Sequence, residues 1–385
     1  MKVYFIHTQD TCAILRMHAE GRYPSHFLYG AIELPSEGVE TLIDRHVSAG
    51  ALGRWRFSLR MAWRVLTCRE PFDAVYGTSF NGLEILILLR AFGLFRKPIV
   101  LWHHQPAQTS SSWLRERLAR RFYRGIDRMF FFSQHILDTS LPCGKVRRDR
   151  AQVVDWGYDL DWRALPVADG QGTTFISTGK ERRDMPTLIE AAGRVGAEVD
   201  IYLPRSNGET DYEAVLAGIA VPESVHLHWS EGLLYGKLAR TVAQARCVCI
   251  CCRPSNYTVG LTTLMEALAL GLPVIATENP AFPFDVEAEG VGLSVACGDV
   301  EGWAKAMKWM MTHPEEAHQM GLRGRALAER RFNIRHTAKQ VAESLRKSPP
   351  PRSPHNGGRA YTSKPSMGRG ACAEGGSSVG TKCQE

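Results

Sequence analysis

Apolar runs recur along this chain with helix-patterned segments between them, and that alternation sets the fold class. In the first half the runs are KVYFIH, DAVYGT, KPIVLWHH, RMFFFS and AQVVDWG. Between them SHFLYGAIELPSEG, LEILILLRAFGL, the basic SSWLRERLARRFYRGI and the short SQHILDTSLPCG read as helices. Strands that are apolar along their whole length belong to parallel sheets covered on both faces. WRALPVADGQG then reads as a loop, and TTFISTG, EVDIYLP, SVHLHWS, CVCICC, LPVIAT and GLSVA restart the strands. MPTLIEAAGRVG, EGLLYGKLARTVAQA, LTTLMEALAL and VEGWAKAMKWMMTH supply the helices of the second half. The expectation is an α/β chain in two halves, 1–165 and 166–347, hinged near residue 165 and ending in a long helical stretch from Pro314. A chain of 385 residues is long enough for two cores. From Ser348 onward Gly, Ser, Pro, Lys and Arg dominate, so 348–385 is expected to be a disordered tail.

Hydrophobic content of 44% and charged content of 23% are globular values. A formal charge of +7 points to anionic partners: phosphates, nucleotides or acidic lipid. The opening MKVYFIHTQD reads as a first strand rather than a signal peptide. No run reaches the roughly 18–20 apolar residues of a membrane-spanning helix, since LEILILLRAFGLF is broken by Arg90. The expected location is cytoplasmic. Four of the 10 cysteines fall in RCVCICCRP, without the paired spacing of a zinc site, and read as reduced thiols in a buried strand.

The most specific stretch is SNYTVGLTTLMEALALGLPVIAT, Ser255 to Thr277. It follows a strand, turns at Gly260, and becomes a helix that ends at Gly271-Leu272-Pro273. In open parallel sheets ligands bind beyond the C-terminal strand ends. A helix start there offers free N–H groups and partial positive charge, which suit a phosphate. Gly260 lets an anion approach the backbone, and Thr262 and Thr263 add hydroxyls. Glu266, one turn on, can accept two hydroxyls of a ribose. The same residues also read as two caps and a solvated carboxylate, and spacing alone does not separate the two.

GLTTLMEALALGLPVIAT resembles the donor-nucleotide helix of GT-B glycosyltransferases of the large retaining family 4. The resemblance covers most of 1–345 in outline and is specific over Gly260 to Thr277. It implies two Rossmann-like parallel-sheet domains facing across a cleft, the first on the acceptor side and the second binding the nucleotide-sugar. Glu266 matches the family's second glutamate, which holds the ribose. Where the family has its first glutamate, eight positions earlier, this chain has Thr258. Gly260, Leu261, Thr262 and Thr263 would meet the phosphates. In STGKERRDMPTLIEA, Gly179-Lys180 matches a Gly-cation pair and Arg183 is the expected second cation at the donor diphosphate. Such cations stabilise charge as it develops on a leaving group. Asp184 could instead pair with one of these arginines. In VLWHHQPAQ a histidine after the strand would face the donor sugar. His103 and His104 point to opposite faces of a strand, and His104 is preferred. Ser133 and Asp159 match recurrent positions of the fold, where hinge or cap roles serve as well as catalysis.

No Ser/His/Asp spacing, Walker loop or GxGxxG is present. Asp159 and Asp161 form an Asp-x-Asp at the hinge, which reads as accidental. In GRWRFSLRMAWRVLTCR, Arg56, Arg60 and Arg64 recur beside Trp55, Leu59, Trp63 and Leu66. A helix of this kind can lie on an anionic bilayer or can pack its apolar stripe inward. The basic helix from Trp113 has the same character.

The resulting expectation is a glycosyltransferase moving a sugar from a nucleotide-diphospho-sugar to an acceptor hydroxyl, with retention, no metal and no cofactor beyond the donor. Polysaccharide or cell-envelope synthesis is the expected setting. The partners are the donor, a saccharide or lipid-linked acceptor and, as a further candidate, an anionic membrane surface; no nucleic acid is expected. Two rivals are a sugar-nucleotide epimerase and a non-catalytic binder, the latter favoured by Thr258. The transferase reading requires the helix start at Gly260 and the turn after Gly179 to converge on one pyrophosphate.

Overall fold

The computed structural model describes residues 1–46, 53–162, 165–208, 210–230 and 235–347. The tail expected over 348–385 lies outside them, as do two residues of the hinge loop. Two parallel six-stranded sheets form the frame. The first contains β1 (Lys2–Ile6), β2 (Glu40–Ile43), β3 (Ala74–Gly77), β4 (Ile99–His103), β5 (Arg128–Phe131) and β6 (Ala151–Val153), in the order β2-β1-β3-β4-β5-β6. The second contains β7 (Phe175–Ser177), β8 (Val199–Leu203), β11 (Val225–Trp229), β12 (Cys247–Ile250), β13 (Val274–Thr277) and β14 (Gly292–Val295), in the order β11-β8-β7-β12-β13-β14. A two-stranded ribbon, β9 (Ser206–Asn207) and β10 (Thr210–Asp211), sits between β8 and β11 in sequence.

Helices α1 (Thr11–Ala19), α2 (Arg54–Leu66), α3 (Glu84–Ala91), α4 (Trp113–Tyr123) and α5 (Gln134–Ser140) belong to the first lobe. Helices α6 (Met185–Val195), α7 (Tyr212–Leu216), α8 (Tyr235–Ala243), α9 (Leu261–Leu270), α10 (Val300–Thr312) and α11 (Pro314–Arg330) belong to the second. The central strands are buried along their length, as their apolar composition requires: β3, β4, β12 and β13 have no exposed residue.

Three local readings change. The helix expected over SHFLYGAIELPSEG is two short 3₁₀ turns, Ser25–Leu28 and Leu34–Glu37. Left-handed backbone at Tyr29 (φ 53°) and Gly30 (φ 82°) stops the first of them. The first true helix is α1, started by Asp10, whose carboxylate accepts from Ala13 N at 2.9 Å. β2 was hidden because only four residues pair, on a sheet edge.

The last helix, α12 (Ile334–Arg346), is grouped with the second half by sequence but packs against the first lobe. Arg331 clamps Asp155 with two 3.0 Å bonds just before α12 begins. Thr337 Oγ1 donates to Asp155 O at 2.6 Å and accepts from Gly157 N at 2.9 Å. The apolar face of α12, with Ala338, Val341, Ala342 and Leu345, is thereby buried. The chain thus crosses between lobes twice, after β6 and before α12.

Each sheet has one place where neighbouring loops diverge to opposite sides. In the first it is between β1 and β3, and in the second between β7 and β12. A crevice opens at such a switch point, beyond the C-terminal strand ends.

Candidate active site

At the crevice of the second lobe, the loop after β7 and the loop after β12 are tied together. Tyr257 OH donates to Glu181 Oε1 at 2.6 Å, Arg182 Nη2 to Pro254 O at 2.6 Å, and Arg253 N to Arg182 O at 2.8 Å. Gly179 (φ 99°) and Gly260 (φ 91°) both use backbone that side chains rarely adopt. A Cβ at Gly179 would press on the Arg183 guanidinium, and one at Gly260 would come within 2.5 Å of Ile250 Cγ2. The two expected segments therefore do converge.

Arg183 is what holds them. Its Nε donates to Thr178 O, its Nη1 contacts Cys252 Sγ and its Nη2 donates to Thr263 Oγ1, each at 2.9 Å. The side chain is 3% exposed. The sequence reading gave Arg183 a place on the donor diphosphate; the structure puts it beneath the loop instead, with its donors aimed at protein. Three inward acceptors outcompete solvent for a planar fork of five N–H groups. Lys180, by contrast, is exposed at the lip of the crevice, and its carbonyl is fixed by Tyr212 OH at 2.8 Å. Asp184 does not pair with these arginines; it accepts from Thr187 Oγ1 at 2.9 Å at the start of α6.

The first turn of α9 divides its two threonines. Thr263 is buried against Arg183, whereas Thr262 is exposed. The amides of Thr262 and Thr263 donate to no group among the described residues, while Leu261 N is taken by Thr258 O at 3.1 Å. Glu266 follows Thr262 by one turn, on the same open face, and is half-buried. Burial pushes its carboxyl up to about 7, against the opposing pull of the Tyr158 hydroxyl, which lies 3.5 Å from Oε1. Tyr158 lies on the crossing between lobes, so Glu266 faces the cleft.

The first-lobe crevice is lined differently. His103 is core: Nε2 meets Tyr123 OH at 2.7 Å, Nδ1 meets Gln105 O at 2.5 Å, and the ring stacks on Phe131. His104 faces the opposite way and keeps an open surface. Its Nε2 lies 2.8 Å from Thr78 O. A carbonyl only accepts, so Nε2 carries the proton and Nδ1 keeps a free lone pair. The surrounding protein lowers the His104 pKa, opposed by the Thr78 carbonyl and by the charge of Glu181. Glu181 belongs to the loop after β7, so that last influence comes from the other lobe.

Two residues escaped the sequence reading. His7 follows β1 and is buried, with burial driving its pKa down to about 4. Its position at a strand end was the available signal, the same one that selected His104. Tyr29 packs between His7 and His104, at 6.2 and 6.0 Å between rings. It sits at the end of a 3₁₀ turn whose apolar pattern resembles a helix. Ser133 caps α5 by accepting from Ile136 N at 3.4 Å. Asp159 accepts from Ser25 N at 2.8 Å, and Asp161 pairs with Arg335 at 2.7 Å. The two aspartates thus serve separate partners. Thr258 occupies the turn before Gly260, its carbonyl engaged as described.

Residues 219–327 match the family described as Glycosyl transferases group 1. The chain is 26% identical over 349 residues to the MMP alpha-(1->4)-mannosyltransferase of Mycolicibacterium hassiacum, with 82% of each chain covered. Among solved structures it is similar to Anabaena HepE in complex with UDP and glucose, at 17% identity and TM-score 0.63, over 90% of this chain and 100% of that one. It is also similar to sucrose-phosphate synthase from Thermosynechococcus elongatus, at 15% identity and TM-score 0.68, over 90% and 98%. At these identities the structural likeness speaks for the two-lobed architecture.

Proposed function

We propose that this chain, whose residues 219–327 match the glycosyl transferases group 1 family, is a GT-B glycosyltransferase that uses a nucleotide-diphospho-sugar and transfers the sugar, with retention, to a hydroxyl of a saccharide or lipid-linked acceptor. The observation that carries this reading is the junction of the Gly179 turn with the first turn of α9, closed by Arg183 and followed by Glu266.

The geometry supports the following roles in this reading. Glu266, as a carboxylate, accepts both ribose hydroxyls. The free amides of Thr262 and Thr263, with the Thr262 hydroxyl, meet the diphosphate at the positive end of α9. Lys180 adds the cation at the lip, so the charge that develops on the departing phosphate is met without a metal. Arg183 and Thr263 are positioning residues. His104, with Nδ1 as an acceptor, takes a hydrogen bond from a hydroxyl of the donor sugar. In the transfer the bond from the anomeric carbon to the β-phosphate oxygen breaks, and its electrons leave with the phosphate. The acceptor oxygen forms the new bond on the same face, and its proton passes to the departing phosphate. Polysaccharide or cell-envelope synthesis suits such a product.

A panel of UDP-, GDP- and ADP-sugars in a thermal-shift assay tests the site. One donor should raise the Tm of the wild type and leave Glu266→Ala unmoved. Equal stabilisation of both proteins, or of neither, overturns the assignment. Thr258 in place of a glutamate favours a second reading, binding without turnover. Sugar appearing on an acceptor separates the two.

A further inference from the structure

The exposed apolar side chains of this molecule are gathered in one place. Among the described residues fourteen large hydrophobic side chains are exposed, and nine of them lie on α2, α4 and the turn after α3. On α2 the outward stripe is Trp55, Leu59, Trp63 and Leu66, between 53% and 68% exposed. The helix already has a separate inward face, formed by Phe57, Met61, Ala62 and Val65. The stripe seen in the sequence is therefore not the one that packs on the sheet. On α4, Trp113 is 74% and Leu118 61% exposed.

These residues share one surface. The connections β2→β3, β3→β4 and β4→β5 all step in the same direction along the sheet. Right-handed crossovers then place α2, α3 and α4 on one face of it. α3 touches both neighbours: Arg54 of α2 bonds Glu84 of α3 at 2.7 Å, and Arg121 of α4 lies 4.6 Å over Phe92 just past α3. The outer side of this layer is therefore one continuous helical face.

Its charge is of one sign. α2 carries four arginines and no acid, and the one acid of α4, Glu116, is turned inward to Lys145 at 2.9 Å. Arg56, Arg60, Arg115 and Arg117 have no ion-pair partner among the described residues. Exposed Trp and Leu rimmed by unpaired arginines match an anionic bilayer, where indole rings sit at headgroup depth and guanidinium groups reach the phosphates. A second copy would set arginine against arginine. No helix among the described residues is long and apolar enough to cross a membrane, so contact would be from the surface.

We propose that the outer face of α2, α3 and α4 docks this protein on an anionic phospholipid bilayer, with α2 and α4 lying in the interface. The proposal rests on the glycosyl-transfer reading only in that the docked lobe is the acceptor lobe, which would set the acceptor site beside a lipid-linked substrate.

The test is co-sedimentation of the full chain with vesicles of phosphatidylcholine alone or with an equal part of phosphatidylglycerol. Binding is expected to the anionic vesicles only, to fall with salt, and to blue-shift tryptophan emission. Replacing Trp55 and Trp63 by serine should cut the shift to what Trp113 contributes, and Arg56→Glu with Arg60→Glu should weaken binding by roughly tenfold or more. All four side chains are exposed, so both variants should keep the wild-type Tm and donor response. Three results would overturn the proposal: no vesicle binding, equal binding to neutral vesicles, or a concentration-dependent dimer that both variants disrupt. A lost donor response with vesicle binding intact would sink the donor reading and leave the docking standing.

Discussion

At the crevice of the second lobe, backbone and side chains are fixed by directed polar bonds: three from Arg183, with cross-ties from Tyr257 and Arg182. At the crevice of the first lobe the lining is largely aromatic. Tyr29 packs against His7, Trp102, His104 and Phe132 with ring separations of 5.4 to 6.4 Å. A diphosphate needs donors in set positions, because charge-assisted hydrogen bonds weaken steeply with misalignment. A sugar ring needs a surface to lie on, and stacked rings tolerate substitution without breaking a network. Both lobes are six-stranded parallel sheets, but their strand orders differ and their crevices are lined for different kinds of ligand. The polar side should be brittle to mutation and the aromatic side forgiving.

The hardest blow to that contrast is Arg183→Ala. It leaves the Thr178 carbonyl and Thr263 hydroxyl without their donor and opens a void beneath the loop. A loss of about 3 kcal/mol in urea unfolding is expected, with donor affinity falling in parallel. Arg183→Lys should rescue little, since one ammonium cannot span three acceptors in a plane. A variant that keeps wild-type stability would show that the loops need no brace.

Next comes pH. The Glu266 carboxyl titrates near 7 in the folded protein, against an ordinary value of 4.5. The folded state then holds the extra proton between these values, so this group's contribution to stability falls as pH rises through that window. Ribose binding needs the carboxylate. Donor affinity should therefore rise with pH and level off above about 7, dropping about tenfold for each unit below it. Calorimetry in two buffers of different ionisation enthalpy should register proton release on donor binding near neutrality. Glu266→Gln should flatten both the stability and the affinity profiles. An affinity that is constant from pH 5 to 8 would remove Glu266 from the ribose.

The frame of the molecule could be read from sequence because fully buried parallel strands carry no alternation to confuse with helix. CVCICC and LPVIAT are β12 and β13 with their loop edges. That His103 and His104 point to opposite sides could be read too, because strand periodicity assigns neighbours to opposite faces. Whether a cation points at solvent or at the protein could not. Lys180 and Arg183 are equivalent in a string, and only the fold shows that three acceptors surround one of them. The same limit hid the exposure of Trp55 and Trp63. Two apolar stripes run along α2, and periodicity cannot say which one the sheet takes.

The smallest effect separates the neighbouring threonines, and it tests the contrast at the scale of one hydroxyl. Thr263 Oγ1 accepts from Arg183, and replacing it with valine keeps the β-branched shape while deleting the acceptor. That should cost about 1 kcal/mol of stability. Donor affinity should fall only through the loosened loop. Thr262 is exposed, and Thr262→Val should leave stability within about 0.5 kcal/mol. With its hydroxyl on the diphosphate, as proposed, donor affinity should drop by about fivefold, one neutral hydrogen bond's worth. Urea unfolding and donor titration of both variants give opposite rankings if the inner residue braces and the outer one binds. Matching rankings would mean that the first turn of α9 acts as one unit, and that the division between brace and ligand contact drawn at Arg183 lies elsewhere.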